Sequence, residues 1–114
     1  MDERIEKAFA TANFMATLSN QRRIILEEYN QKLIYYVAGA TFKITPALIS
    51  FVKTMLEKSD DLILIDSNNL PVKIDNTAKF LNDIISIYDT ASAEYFEKYA
   101  NIKNKRKIID IVEL

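Results

Sequence analysis

The sequence predicts an α+β fold: a long N-terminal helix, two ββα units forming a four-stranded antiparallel sheet, and a long C-terminal helix. Three observations predict it. The chain opens and closes on stretches whose apolar residues recur at helical spacing. Between them lie four short runs rich in strand formers. And one phrase is written nearly twice, "FKITPALISF" at 42–51 and "VKIDNTAKFL" at 72–81. A mainly helical bundle with two β-hairpins as appendages is the alternative architecture.

Residues 2–31 read as helix. Ile5, Ala8, Phe9, Ala12, Met15 and Ala16 keep one face, and the stripe then rotates to Leu18, Ile25 and Tyr29. The shift falls at "LSNQRR". One long helix bent there fits. So do two short ones, with Ser19 or Asn20 capping the second by accepting an orphan backbone N–H. Leu33–Val37 is a short apolar run, and the only glycine, Gly39, follows it. Thr41, Phe42, Lys43 and Ile44 then alternate polar and apolar. That is a hairpin with glycine supplying the positive φ of its turn. Thr45 is the expected N-cap of the next helix and Pro46 its first residue. Ala47, Leu48, Phe51, Val52 and Met55 make its apolar face.

The second copy repeats the order. Leu62–Ile65 is the apolar run and "DSNN" the turn, where Asn tolerates the left-handed backbone that Gly39 gives the first copy. Leu70, Val72 and Ile74 alternate with Pro71 and Lys73. Asp75 is the expected cap of the last helix, whose stripe is Leu81, Ile84, Ile85, Tyr88, Ala91, Tyr95, Tyr99 and Ile102. Each repeated phrase is thus the end of a hairpin entering a helix. An ancestral duplication and two separate solutions of one local problem both account for it. "LIYYV" and "LILI" are apolar at every position, so they are expected to be central and covered on both faces. "TFKI" and "LPVKI" alternate, and Pro71 cannot donate to a ladder, so they are expected at the edges, in the order 2-1-3-4.

The chain is read as a single domain, 1–114. Residues 103–114 break the pattern as an expected C-terminal arm, because "IIDIVEL" is apolar and β-prone: a fifth strand, or an arm adding to a neighbour's sheet edge.

Composition narrows the function. Half of the residues (49%) are apolar, enough for one core without staples. The chain has no Cys and no His, so it has no disulfide, no thiolate zinc site and no nucleophile activated by imidazole. One glycine cannot build a phosphate-cradling loop. The adjacent pair Glu27 and Glu28 splays apart on a helix. No catalytic residue, cofactor or metal is therefore expected. Asp60, Asp61 and Asp66 flank a strand, but "DSNN" lacks the glycine and distal Glu of a calcium loop, and a turn and a junction explain all three. The charged N-terminus "MDERIEKAFA" is unlike a signal peptide, and no apolar run approaches the roughly 20 residues of a membrane helix. The expectation is a cytoplasmic protein without a membrane partner.

One segment points to chemistry. Lys98, Lys103, Lys105, Arg106 and Lys107 put five positive charges in ten residues. Tyr95 and Tyr99 lie close enough to stack on bases, and Arg22 and Arg23 extend the patch if the first helix lies alongside. A solvated helix end explains the same charges, and a tyrosine stripe at heptad-like spacing is also a helix–helix seam. Residues 33–97 hold nine acidic against five basic side chains, which opposes binding to nucleic acid.

The stretch "ANFMATLSNQRRIILEEYNQKLIYYVAGATFKIT", residues 12–45, resembles short proteins encoded by T4-like marine cyanophages. The abundance of Ile, Asn, Lys, Tyr and Phe, with their AT-rich codons, agrees. The resemblance implies a phage setting, in host cytoplasm or virion, and carries over no site residue. The expected function is a small non-enzymatic assembly or interaction protein, homo-oligomeric or bound to another protein. The alternative is a nucleic-acid-binding accessory factor using the basic segment.

Overall fold

A computed structural model describes residues 2–112, and the side chains of 2–105. The fold is α+β. In chain order it comprises α1 (Glu3–Lys32), β1 (Ile34–Val37), β2 (Ala40–Lys43), α2 (Pro46–Leu56), β3 (Leu62–Ile65), β4 (Pro71–Ile74) and α3 (Thr77–Val112). Two ββα units follow a long first helix. α1 is one continuous helix through "LSNQRR". Contacts divide the chain into two units where the sequence suggests one domain. One unit holds 1–28 and 94–114, and the other 29–93.

The unit 29–93 holds the hydrophobic core. Leu33, Phe42, Ile44, Val52, Leu62, Leu64, Ile74, Phe80 and Ile84 are buried together. The Phe80 ring stands nearly perpendicular to Phe42, at 5.5 Å, and to Tyr35, at 5.9 Å between ring centroids. Edge-to-face rings set the positive rim of one against the negative face of the other.

Local chemistry explains the turns and caps. β1 and β2 pair from Ile34 with Lys43 to Val37 with Ala40, leaving a two-residue loop. Ala38 and Gly39 both take positive φ, 52° and 75°, the pattern of a type I′ turn that matches strand twist. In the second hairpin the left-handed residue is Asn69, φ 62°. The Thr45 side chain accepts from the Leu48 N–H at 3.1 Å, and Pro46 follows at the first helical position. The cap of α3 is one residue later than expected. Asn76, not Asp75, accepts from the Lys79 N–H at 3.1 Å. Thr77 fixes that frame: its N–H and its hydroxyl both donate to the Asp60 carbonyl, at 3.0 and 2.8 Å, and the residue is fully buried.

Two sheet expectations need correction. The four strands do not join in the order 2-1-3-4; they form two separate antiparallel pairs, β1–β2 and β3–β4. The reason lies at Thr41. The Leu33–Ile44 hydrogen bond sets the ladder so that the N–H and C=O of Thr41 point away from β1. The turn of the second hairpin takes both. Thr41 N–H donates to Asp66 Oδ2 at 3.1 Å, and Ser67 N–H donates to the Thr41 carbonyl at 2.8 Å. The second hairpin thus meets β2 with a turn, rather than β1 with a strand.

Nor are "LIYYV" and "LILI" covered on both faces. β3 alternates strictly: Leu62 and Leu64 are buried, while Ile63 and Ile65 are 66% and 60% exposed. In β1, Tyr35 packs inward and Tyr36 is 75% exposed. The face of the second hairpin opposite the core is left to solvent, and that of the first exposes Tyr36 and Lys43 beside half-buried Ile34 and Thr41.

The tail also differs from the extended arm expected over 103–114. α3 continues as helix through Val112; Glu113 and Leu114 lie outside the described residues. A lone strand there would leave its N–H and C=O groups unpaired, whereas a helix pairs them within the segment, and Lys and Arg are good helix formers.

Candidate interaction surface

The basic segment and the tyrosine stripe belong to the unit of 1–28 and 94–114, where α1 and α3 run side by side in opposite directions. Helical spacing puts Tyr95 and Tyr99 one turn apart, and their rings stack at 6.3 Å with planes 11° apart. Arg22 of α1 sits over the Tyr99 ring, 5.7 Å from its centroid, as a cation on the negative face. The first helix therefore brings Arg22 to the tyrosines. Arg23 points elsewhere and binds Glu27 one turn on, at 2.9 Å.

Lys98 is already engaged. Its ammonium donates to Glu28 Oε2 at 2.8 Å and lies 2.9 Å from Glu94 Oε1. The hydrogen bond to Glu28, then that to Glu94, pushes its pKa up to about 12. Lys103 and Lys105 are exposed. The side chains of Arg106 and Lys107 lie outside the described residues. An open hollow of about 240 Å³ lies on the surface here, lined by Ile24, Ile25, Ile102, Lys98 and Lys105.

This helical unit buries little. Leu18 and Ile102 are its buried apolar residues among those described. Ile5, Phe9, Ile24, Leu26 and Phe96 are large, apolar and 45–75% exposed. Ile5 and Phe9 share one face of α1, one turn apart, while Ile24 and Leu26 lie several turns further along on other faces of the same helix.

The unit 29–93 has a hollow of its own, about 200 Å³, between β1 and the start of α3. Tyr35 donates its hydroxyl proton to Asp83 Oδ2 at 3.0 Å there, with Lys73 and Lys79 on the rim. Burial, then the hydrogen bond to Asp83, raises the Tyr35 pKa above its usual value, so the phenol stays protonated and serves as a donor.

No protein-family model, curated protein or solved structure matches this chain.

Of the three acidic residues flanking β3, Asp60 is engaged through its backbone and Asp61 and Asp66 through their carboxylates. The Asp60 carbonyl holds Thr77. Asp61 accepts from Ser59 and lies 3.6 Å from Lys73, contacts that lower its pKa in that order. Asp66 accepts the N–H groups of Leu70 and Asn68 on Oδ1, at 2.8 and 2.9 Å, besides that of Thr41 on Oδ2. These bonds, led by Leu70, lower its pKa against the opposing effect of burial. Among the described residues, no three His, Cys, Asp or Glu side chains gather to hold a metal, and no helix is long and apolar enough to cross a membrane. The outward faces of β1 and β3 were missed by sequence reasoning. The signal for them was present, since a short apolar run bounded by turns fits a one-sided strand as well as a central one.

Proposed function

We propose that this chain is a small assembly or interaction protein that works as a homo-oligomer and catalyses no reaction. One observation carries the reading: the helices of the unit 1–28 and 94–114 keep Ile5, Phe9, Ile24, Leu26 and Phe96 exposed while burying Leu18 and Ile102. Two helices have too few neighbours to enclose a core, and association with further helices is how such pairs complete one. With the resemblance to cyanophage proteins, the setting is virion assembly or a host-directed accessory role, in host cytoplasm or virion. Sedimentation equilibrium over a hundredfold range of concentration tests the reading. A molar mass that rises with concentration supports it, and a monomer throughout refutes it.

A second reading, nucleic-acid binding, is favoured by the placing of Arg22 on Tyr99, beside Tyr95 and the exposed Lys103 and Lys105. It is weakened by the ion pairs of Lys98 and Arg23. Fluorescence anisotropy with single-stranded DNA, duplex DNA and RNA separates the two. A phosphate binder loses affinity steeply as salt rises, and loses it again when Lys103, Lys105, Arg106 and Lys107 are neutralised.

A further inference from the structure

We propose that the partner of α1 is α1 of a second copy, packed antiparallel about a two-fold axis that passes between Ala10 and Thr11. The inference rests on the assembly reading and names its surface and register. Ile5, Phe9, Ala12 and Ala16 fall on one face of α1, at the i, i+4, i+7 and i+11 positions of a helix. All four are exposed, Ile5 by 47% and Phe9 by 56%. They point away from Leu18, which is buried on the opposite side of the helix.

Size and charge select a second copy as the occupant. Under the stated axis Phe9 lies level with Ala12 of the other copy, and Ile5 level with its Ala16. Each large side chain faces a small one, and the symmetry repeats the match. With alanines at the contact, two helix axes approach to about 8 Å. From Ala8 to Gln21 the chain carries no charge. The charged first turns of each copy therefore lie against uncharged helix of the other, and like charges do not meet. Past that neutral stretch stands Arg23, on the same face as Ile5. Asp2 lies level with Ser19 of the other copy, and Arg23 is one turn further along, about 6 Å. Helical side chains slant towards the N-terminus, so Arg23 reaches back to Asp2 of the second copy. The two-fold makes that pair twice. In one chain alone Asp2 accepts from the Arg4 N–H at 3.2 Å and Arg23 binds Glu27, both on the surface, and both groups have capacity for a further bond.

The test is a size swap and a charge swap on the full chain, read by sedimentation equilibrium, with helix content followed by circular dichroism. Phe9→Ala is expected to raise the dissociation constant at least tenfold, roughly the effect of 1.4 kcal/mol. Adding Ala12→Phe to Phe9→Ala recreates the large-on-small match with the roles exchanged, and is expected to recover most of the loss. Arg23→Asp is expected to weaken association severalfold, and Asp2→Arg added to it to restore it. Because these side chains are exposed in the single chain, helix content is expected to hold. An oligomer that persists unchanged in Phe9→Ala and Arg23→Asp, or swaps that fail to rescue, overturns this register while leaving the assembly reading intact. A wild-type chain that stays monomeric throughout overturns both and leaves the stripe to a helix of a different protein.

Discussion

The one-sided burial of β3 makes a sharp mutational contrast between neighbouring residues. Leu64 is 5% exposed within the core, so Leu64→Ala removes buried methyl groups and leaves a void. Such a change costs about 2–5 kcal/mol. A value of about 3 kcal/mol corresponds to a drop in melting temperature of about 12 °C for a chain of this size. Ile63, one residue earlier, is 66% exposed. Its full burial would contribute about 1.5–3 kcal/mol; only a third of it is covered, so Ile63→Thr removes about 0.5–1 kcal/mol. Thr keeps the β-branch, so strand propensity is held nearly constant. The expected shift is then about 2–4 °C. Thermal melts followed by circular dichroism, with urea midpoints as a check, measure both. An Ile63→Thr loss as large as that of Leu64→Ala refutes the reasoning, because it requires cover on the outward face. Repeating the melts at several protein concentrations shows whether that cover is another chain.

Three further outcomes are expected. Thr45→Ala removes the cap of α2 and is expected to cost about 1 kcal/mol, seen as a lower urea midpoint at unchanged slope. Ala38→Asn gives the I′ turn its favoured Asn-Gly pair at a residue already held at φ 52°, and is expected to raise stability by about 0.5–1 kcal/mol in the same assay. Asp66 has its pKa lowered by the N–H groups it accepts, so its contribution is present above the unfolded carboxyl value, about 4, and is lost as pH falls through the folded value. Melts between pH 7 and pH 3 are expected to show wild type above Asp66→Asn at neutral pH, with the gap narrowing in acid; a constant gap contradicts the assignment.

What the sequence revealed was what local chemistry decides. Thr45 with Pro46 announces a helix start, Gly39 and Asn69 announce left-handed turns, and Leu62–Ile65 has the length of one strand. Each signal involves groups a few residues apart. What escaped was set by groups far apart in the chain. The sheet order failed because Asp66 reaches Thr41 across 25 residues, while its sequence context describes only a turn. The α3 cap moved from Asp75 to Asn76 because Thr77 is anchored 17 residues away on Asp60. Residues 103–112 show the converse: strand propensity in Ile and Val yields to the hydrogen bonding of a helix already under way. The candidate site was partly legible. Positive charge and tyrosines at helical spacing are visible, and so is the chance that Arg22 joins them. That Lys98 is already claimed by Glu28, 70 positions earlier, is not visible.

The hydrogen bonds of Thr77 also bear on how the chain forms as it is made. Its clamp on Asp60 closes the second hairpin at its base, and the Leu33–Ile44 bond closes the first in the same way. Short loops close at little entropic cost, so each hairpin can form soon after it leaves the ribosome. α1 also has partners that are made much later. Glu28 emerges 70 residues ahead of Lys98, and Tyr29 emerges 63 ahead of Ser92, to which it hydrogen-bonds. At about 5–20 residues per second, the side of α1 that faces α3 waits several seconds for it. During that interval the helix is open to chaperones, and to the α1 of another nascent chain on the same message.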